Sequence, residues 1–351
     1  MLREVLLLKL RFGSLNSRIV GVSVMKKTKL LLIFVLSILL LPMTIPRAHA
    51  GKGAWKVVVG GEMKDSAIVS NFFHPREIDV AVGDTVTWKF EATHTVTFLS
   101  GRPRPANRLR EGDKFYRNPD VFFRVGGDTY DGTVYLNSGT PPDPKFTYSL
   151  TFTKAGTYEY FCLLHLPAMS GIVNVRERAF NSPAATERRG KSELAATLKA
   201  GEAAWATWEP ERRGQTVVLP MIDDPKAGFS ILRFTKDPLV VTPGTTVTWV
   251  NRDSSRPHTA TLLGGEPPPA EIIVEAQAQG PPKLLINPKW LNPSKSTTYE
   301  GGFATSGQLF PTSAPPDTPK SFSLTFAKPG QYEYVCMFHE RAGMKGTVIV
   351  R

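Results

Sequence analysis

Four residues that can bind a transition metal recur in the same order in each half of the chain. They are His94, Cys162, His165 and Met169 in the first half, and His258, Cys336, His339 and Met344 in the second. A thiolate and two imidazoles form a strongly covalent trigonal set that suits copper in both oxidation states, and a weak axial thioether tunes its potential. Zinc more often completes a tetrahedron with Cys, His or carboxylate ligands, so the recurring Met favours copper. The pattern predicts one mononuclear type 1 copper in each half, two Cu ions per chain.

The two ligand sets belong to an internal repeat. The 17-residue segment 149–165 recurs at 323–339 with 11 identical positions. Residues 80–88 resemble residues 241–249, and each copy continues past its last His as Met-x-Gly-x-Val-x-Val. Repetition on this scale indicates two copies of one structural module.

The pattern within each module predicts β-strands. Apolar residues alternate at Val80, Val82, Val86 and Trp88, with a Gly-Asp turn between, as in half-buried strands. With 29 Gly and 29 Pro, the chain favours short strands joined by turns. We therefore expect an all-β protein of two tandem Greek-key sandwiches, with Trp88 and Trp249 in their cores. The segments 100–145 and 264–320 show no strong period and are interpreted as insertions at one end of each sandwich.

Cys162 and Cys336 are the only cysteines in the sequence. In an oxidising compartment, a structural disulfide between them is the alternative interpretation. Each Cys would then have to leave an otherwise complete metal-binding set. The repeat therefore favours two separate thiolates.

The N-terminal segment has the pattern of a secretory signal. Met25 and three nearby lysines precede an apolar run over residues 30–43, which is followed by the cleavage-site pattern Ala48-His49-Ala50. We expect translation to start at Met25, cleavage after Ala50, and export to the periplasm or the extracellular space. A membrane anchor is the alternative, but the run is shorter than the roughly 20 residues of a spanning helix. No stable membrane span is expected after cleavage.

The expected domain organisation follows from these boundaries. Residues 1–50 form the upstream extension and signal peptide, 51–176 the first domain, and 206–351 the second. Residues 177–205 contain helix-forming residues of mixed charge and are predicted to be a linker with a possible short helix.

The net charge of +12 is concentrated in the segment expected to be removed. Residues 1–50 carry eight of the basic residues and one acidic residue, which leaves a net charge of +5 downstream. That balance is ordinary for a soluble pair of domains, so no nucleic-acid partner is expected. A local basic stretch is expected to be solvated; its members are Arg102, Arg104, Arg108 and Arg110.

The ligand spacing, the Tyr-x-Tyr-x-Cys strand and the duplication resemble plastocyanin and its relatives among the cupredoxins. The resemblance implies an eight-stranded sandwich with copper at one end, bound by the upstream His and by three residues of the final loop. It also implies that His165 and His339 lie at the solvent edge. The gap between His339 and Met344 matches plastocyanin, whereas that between His165 and Met169 is one residue shorter, which leaves the geometry of Met169 open.

By the same resemblance, the chain is expected to be an exported electron-transfer protein that exchanges electrons with redox partner proteins. One alternative is a two-domain copper oxidoreductase, resembling nitrite reductases or oxidases, with a second copper site between subunits. Such a site needs further histidines, and only His74 remains downstream of residue 50, at an expected surface or strand-edge position. The other alternative is a copper storage or delivery protein, although Met-rich tracts are absent from the sequence.

Overall fold

The computed structural model describes residues 53–63, 67–165 and 168–351. The predicted signal peptide and its cleavage site lie outside these residues. The strands of the first half are β1 (Ala54–Val59), β2 (Ile68–Ser70), β3 (Phe73–His74), β4 (Glu77–Ala81), β5 (Thr85–Phe90), β6 (Thr97–Phe98), β7 (Arg108–Glu111), β8 (Lys114–Arg117), β9 (Thr129–Tyr130), β10 (Leu136–Asn137), β11 (Thr147–Phe152), β12 (Gly156–Phe161) and β13 (Ser170–Arg176). A short helix, α1 (Pro119–Phe122), lies between β8 and β9.

The second half repeats this arrangement after a long helix, α2 (Pro183–Thr207). Its strands are β14 (Glu211–Arg213), β15 (Thr216–Met221), β16 (Asp223–Asp224), β17 (Phe229–Ile231), β18 (Leu239–Val241), β19 (Thr245–Asn251), β20 (Thr261–Leu262), β21 (Ile272–Glu275), β22 (Lys283–Ile286), β23 (Thr298–Tyr299), β24 (Ala304–Thr305), β25 (Ser321–Phe326), β26 (Gly330–Val335) and β27 (Lys345–Val350). A third helix, α3 (Pro288–Leu291), and a 3₁₀ turn at Glu340–Ala342 complete the described elements.

Each half forms a sandwich of two five-stranded sheets. The first sandwich has the orders β3-β1-β5-β11-β9 and β10-β6-β12-β13-β4, and the second has β14-β15-β19-β25-β23 and β18-β27-β26-β20-β24. In the first sheet of each sandwich, four of the five strands occupy equivalent positions. In the second sheet all five do, when the order of one sandwich is read in reverse. The predicted all-β pair of tandem sandwiches is confirmed.

The cores lie where the alternation of the strands predicts. Trp88 and Trp249 are fully buried, and each makes an edge contact with a tyrosine of the facing sheet, Tyr160 or Tyr334. Such edge-to-face aromatic pairs add to the free energy gained by burial alone. Val82 is the exception to the pattern, because it lies in the β4–β5 turn and is 39% exposed.

Helix α2 is longer than the short helix predicted for the linker, and it packs against both sandwiches. Ser182 caps its N-terminus by accepting a hydrogen bond from the Ala185 N–H. Glycines allow close approach: a Cβ at Gly190 would lie 2.7 Å from the His74 carbonyl oxygen, and one at Gly201 only 2.4 Å from Ile68. The helix therefore joins the sandwiches through packing. Among the described residues, no helix combines the length and hydropathy needed to cross a membrane.

The two sandwiches also share β-sheets. Strand β17 of the second half pairs antiparallel with β2 of the first. The segments without a sequence period form hairpins, β7–β8 and β21–β22, which join through a pairing of Leu285 with Tyr116. Ion pairs cross this shared sheet between Lys114 and Glu275, Arg117 and Glu271, and Lys283 and Glu111.

One member of the predicted solvated basic stretch lies in this interface. Arg108 is partly buried and donates a hydrogen bond to Gln308 of the second half. The prediction that the whole stretch is solvated is therefore wrong for Arg108. Sequence alone did not reveal the pairing of the two hairpins, which places this side chain between the sandwiches.

Candidate metal centres

In the first sandwich, three of the four predicted ligands converge at one end. Cys162 Sγ lies 3.6 Å from His94 Nδ1 and 3.4 Å from His165 Nδ1, and the two Nδ1 atoms are 2.9 Å apart. The three donor atoms lie within 4.8 Å of one another, and all three residues are buried.

The second sandwich repeats this geometry. Cys336 Sγ lies 3.7 Å from His258 Nδ1 and 3.4 Å from His339 Nδ1. The donors again lie within 4.8 Å of one another. Both cysteines are free and buried, so the disulfide alternative is excluded.

A threonine beside each upstream His holds the cysteine in place. The Thr95 N–H donates to Cys162 Sγ over 3.4 Å, while Thr95 Oγ1 accepts from the Leu163 N–H. In the second sandwich, Thr259 makes the same pair of contacts to Cys336 and Met337. Because each threonine follows the upstream His directly, these bonds tie the loop carrying that His to the end of the strand carrying the Cys. An amide donor to sulfur also stabilises thiolate over thiol.

The two Met residues are held by the same pair of backbone hydrogen bonds, although the loops before them differ in length. Met169 accepts a hydrogen bond from the Cys162 N–H and donates one to the His165 carbonyl. Met344 makes the corresponding bonds with Cys336 and His339, at matching distances of 2.9–3.1 Å. The extra residue of the second loop is absorbed by the 3₁₀ turn, which ends at Gly343 with φ of +82°. Both Met residues are fully buried.

The donor set fits a trigonal metal ion. Donors about 2.0–2.3 Å from a central ion are separated by roughly 3.5–3.8 Å in a trigonal plane. The sulfur–nitrogen distances of 3.4–3.7 Å agree with this spacing at both centres. The shorter distance between His94 Nδ1 and His165 Nδ1 requires these two rings to separate by several tenths of an ångström. Burial raises the pKa of the Cys162 thiol, so a metal cation is needed to hold it as thiolate at neutral pH.

The expected position of the downstream histidines at the solvent edge is wrong for the first centre. His165 is only 5% exposed, whereas His339 is partly exposed. Burial lowers the pKa of His165, and the charges of Arg256, His94 and His339 lower it further. Arg256 and His339 belong to the second half, so the first centre faces the second sandwich rather than open solvent.

The outer ring nitrogen of the upstream histidine, Nε2, has a different environment in each of the two centres. His258 Nε2 lies 3.7 Å from a carboxylate oxygen of the fully buried Asp253. Burial acts to lower the pKa of His258, but Asp253 and the Cys336 sulfur outweigh it and raise the pKa to about 9. Neither Nε2 atom has a hydrogen-bond partner within the described residues, and His94 Nε2 lies against Gly60 rather than a carboxylate.

A hydrogen-bonded link joins the two sandwiches next to these centres. Arg256, two residues before His258, is buried and donates from Nε and Nη2 to Asn71 Oδ1. Asn71 Nδ2 in turn donates to Ser230 Oγ over 2.8 Å. Burial lowers the pKa of Arg256, and the nearby charge of Asp253 acts in the opposite direction.

Sequence reasoning missed Asp253 and Arg256. One signal was present: three more residues separate Trp249 from His258 than separate Trp88 from His94, and both missed side chains lie in that longer segment. A charged residue in such a segment is ordinarily solvated. The burial of Arg256 involves a contact with Asn71 of the other sandwich, whereas Asp253 is enclosed by residues of its own half.

His74 lies at a strand edge, as expected, but it is not at the surface. It is 2% exposed beneath α2, and its ring bonds to Ser70 Oγ over 2.7 Å. It is not part of either cluster of potential metal ligands in the described residues.

Comparison with known proteins relates the chain to copper-binding proteins. The family model described as copper-binding proteins of the plastocyanin/azurin family matches residues 62–176 and 317–351. A chloroplastic plastocyanin of Physcomitrium patens is 31% identical over 127 residues, and amicyanin of Paracoccus denitrificans is 32% identical over 120. These matches cover 36% and 32% of this chain, and they span 60% of the plastocyanin and 69% of the amicyanin.

Solved structures of amicyanin variants are also similar. An oxidised form is 28% identical and a Cu(I) form 30% identical, and each match covers 37% of this chain and 88% of the amicyanin chain with a TM-score of 0.23. Each half of the chain is thus a β-sandwich with a buried Cys/His cluster at one end, which is the arrangement of a metal-binding β-sandwich protein. The chain belongs to the plastocyanin/azurin family of copper-binding proteins, the cupredoxins.

Proposed function

We propose that the chain is an electron-transfer protein that holds two mononuclear type 1 coppers. The first would be bound by His94, Cys162, His165 and Met169, and the second by His258, Cys336, His339 and Met344. The observation that carries this proposal is the duplicated convergence of one sulfur and two Nδ1 atoms in a buried site. Copper bound there supplies one-electron chemistry.

The surroundings of the donors support electron transfer. Threonine bonds and the Met backbone bonds hold the Cys in both halves, so the donor positions depend little on the metal's oxidation state. A site whose geometry is acceptable to both states needs little reorganisation when an electron arrives or leaves. Electron exchange with redox partner proteins follows as the proposed role.

Copper loading tests this function directly. The chain is loaded with copper(II), and its metal content and visible spectrum are recorded. Two coppers per chain with intense thiolate-to-copper bands, bleached reversibly by a one-electron reductant, are expected. Binding without those bands would favour storage or delivery instead, and turnover of nitrite or oxygen would favour the oxidoreductase.

We also propose the domain limits and the localisation. Residues 51–176 and 206–351 would form the copper domains, and 177–205 would form the linker. Strand β13 ends at Arg176 and β14 begins at Glu211, which supports this division. Removal of residues 1–50 during export to the periplasm or the extracellular space is tested by N-terminal sequencing of the protein from that compartment.

The burial of His74 bears on the oxidoreductase alternative. A copper site shared between subunits needs a histidine at the surface. His74 is 2% exposed and lies beneath α2, where Gly190 touches its carbonyl. It is poorly placed to meet a second subunit.

A further inference from the structure

The two candidate metal centres are linked by contacts that lie directly beside their ligands. Arg256 is separated from His258 by one residue, and its guanidinium crosses to Asn71 of the first sandwich. The Asn71 N–H also donates to the carbonyl of Gly228, on the far side of the interface, over 2.7 Å. The interface is therefore built at the ends of the sandwiches that carry the metal centres.

A continuous path of covalent and hydrogen bonds leads from one centre almost to the other. From His258 it follows the backbone to Arg256 and crosses the guanidinium bond to Asn71. It continues to Phe72, whose carbonyl accepts a hydrogen bond from the Gly60 N–H over 2.9 Å. Gly60 lies against the ring of His94, since a Cβ there would be 2.4 Å from His94 Nε2. Only this last contact is through space.

Apart from Pro257, which is partly exposed, the residues along this path are buried. Asn71 is 3% exposed, Arg256 is 6% exposed, and both upstream histidines are fully buried. Packed side chains and fixed hydrogen bonds hold such a path in one conformation.

The two centres differ in their access to external partners. His165 is buried against the second sandwich, whereas His339 is partly exposed. His339 therefore presents more surface to a partner than His165 does. The second centre is therefore the better placed of the two for direct exchange with a partner.

We propose that Arg256 and Asn71 form an internal electron route, so that the second centre exchanges electrons with partners and passes them to the first. This inference rests on the proposed function. In each transfer one electron leaves the Cys336 site, which is oxidised by one unit, and arrives at the Cys162 site, which is reduced by one unit. The electron passes through the bonds of Arg256 and Asn71, and neither residue gains or loses a proton.

The test compares how fast each copper accepts an electron from reduced flavodoxin, a one-electron donor too large to enter the interface. The full copper-loaded chain is compared with Cys162→Ser and Cys336→Ser, each of which keeps one site. Both coppers of the full chain are expected to be reduced about as fast as the single copper of Cys162→Ser. The single copper of Cys336→Ser is expected to be reduced several-fold more slowly, because its internal supply is lost.

A second set of variants tests the route itself. Asn71→Leu removes the acceptor for Arg256 and is expected to slow reduction of the first copper several-fold while the second copper is reduced normally. Ser230→Ala is the matched control, since it removes the other Asn71 side-chain contact and leaves the Arg256 link. Retention of both visible bands shows that each variant is folded.

Two outcomes would overturn the proposal. One is that the copper of Cys336→Ser accepts electrons as fast as the first copper does in the full chain. The other is that Asn71→Leu, with both bands intact, leaves the rate unchanged. A chain that forms no thiolate-bound copper would instead overturn the proposed function, so the two failures are distinguishable.

Discussion

The carboxylate of Asp253 lies 3.7 Å from Nε2 of His258, whereas the corresponding atom of His94 lies against Gly60. Both residues of the pair are fully buried. Asp253 stays ionised there: burial acts to raise its pKa, but His258, Arg256 and the Ser255 N–H together lower it well below the usual range. The two metal centres therefore have the same donor atoms and different electrostatic surroundings.

This difference predicts unequal reduction potentials. An anion beside the outer nitrogen of a ligand imidazole makes that ligand more basic and favours the oxidised metal. Asp253→Asn should raise the potential of the second centre by on the order of 1 kcal/mol, or roughly 40 mV for one electron. A redox titration followed at the visible bands measures this, with the first centre as internal control. An equal shift at both centres, or none, would contradict the role given to Asp253.

Gly60 provides a test confined to the first centre. It has φ of +71°, and a Cβ at this position would lie 2.4 Å from His94 Nε2. Gly60→Ala should displace the His94 ring and change the visible and electron paramagnetic resonance spectra of the first copper only. Gly83→Ala is the matched control, since Gly83 has φ of +90° with nothing within 4 Å of a Cβ.

The control separates backbone strain from contact with the ligand. Both substitutions place a side chain in left-handed backbone, at a cost of about 1–2 kcal/mol. Only Gly60→Ala should alter a spectrum. Equal spectral effects of the two variants, or an unchanged spectrum in Gly60→Ala, would show that this contact does not fix His94.

His74 should make stability depend on pH. Burial, and then the charge of Arg76, lower its pKa to about 4. An unfolded histidine titrates near pH 6.5, so below that pH the unfolded chain gains a proton that the native chain does not, and the free energy of unfolding falls between about pH 6.5 and 4. The contribution of His74 to this loss is about 3 kcal/mol.

Denaturant unfolding at pH 7 and pH 4.5 measures that contribution. His74→Gln keeps a side chain able to hydrogen-bond to Ser70 and removes the titrating group. Between pH 7 and pH 4.5, the free energy of unfolding of the variant should fall by about 2–3 kcal/mol less than that of the wild type. A variant that loses as much as the wild type would show that His74 does not contribute.

Two neighbouring arginines test the shared hairpin sheet. Arg108 bonds across the interface to Gln308, whereas Arg110 is exposed and its hydrogen bond to Gly112 and its contact with Phe115 stay within its own hairpin. Arg108→Ala should lower the free energy of unfolding by about 1–3 kcal/mol, because it removes a partly buried bond to a charged group. Arg110→Ala should change the free energy of unfolding by no more than about 0.5 kcal/mol. Equal losses would argue against the interface.

Much of the fold and of the donor set could be predicted from local pattern. Strand alternation places Trp88 and Trp249 correctly in the cores, and the repeat identifies residues that the structure brings together, such as Cys162 and His165. What joins the halves could not be predicted, because it depends on contacts between segments far apart in sequence. The burial of His165 and Arg256 follows from how the two sandwiches pack against each other, which no sequence period encodes.

The most direct test of the central claim is the copper content and visible spectrum of Cys162→Ser and Cys336→Ser beside the wild-type chain. Each substitution replaces the one thiolate of its centre and leaves the other centre intact. Two coppers are expected in the wild type and one in each variant, with about half of the thiolate-to-copper absorbance lost each time. A variant that keeps both coppers with full absorbance, or a wild type that binds only one, would contradict the presence of two type 1 centres.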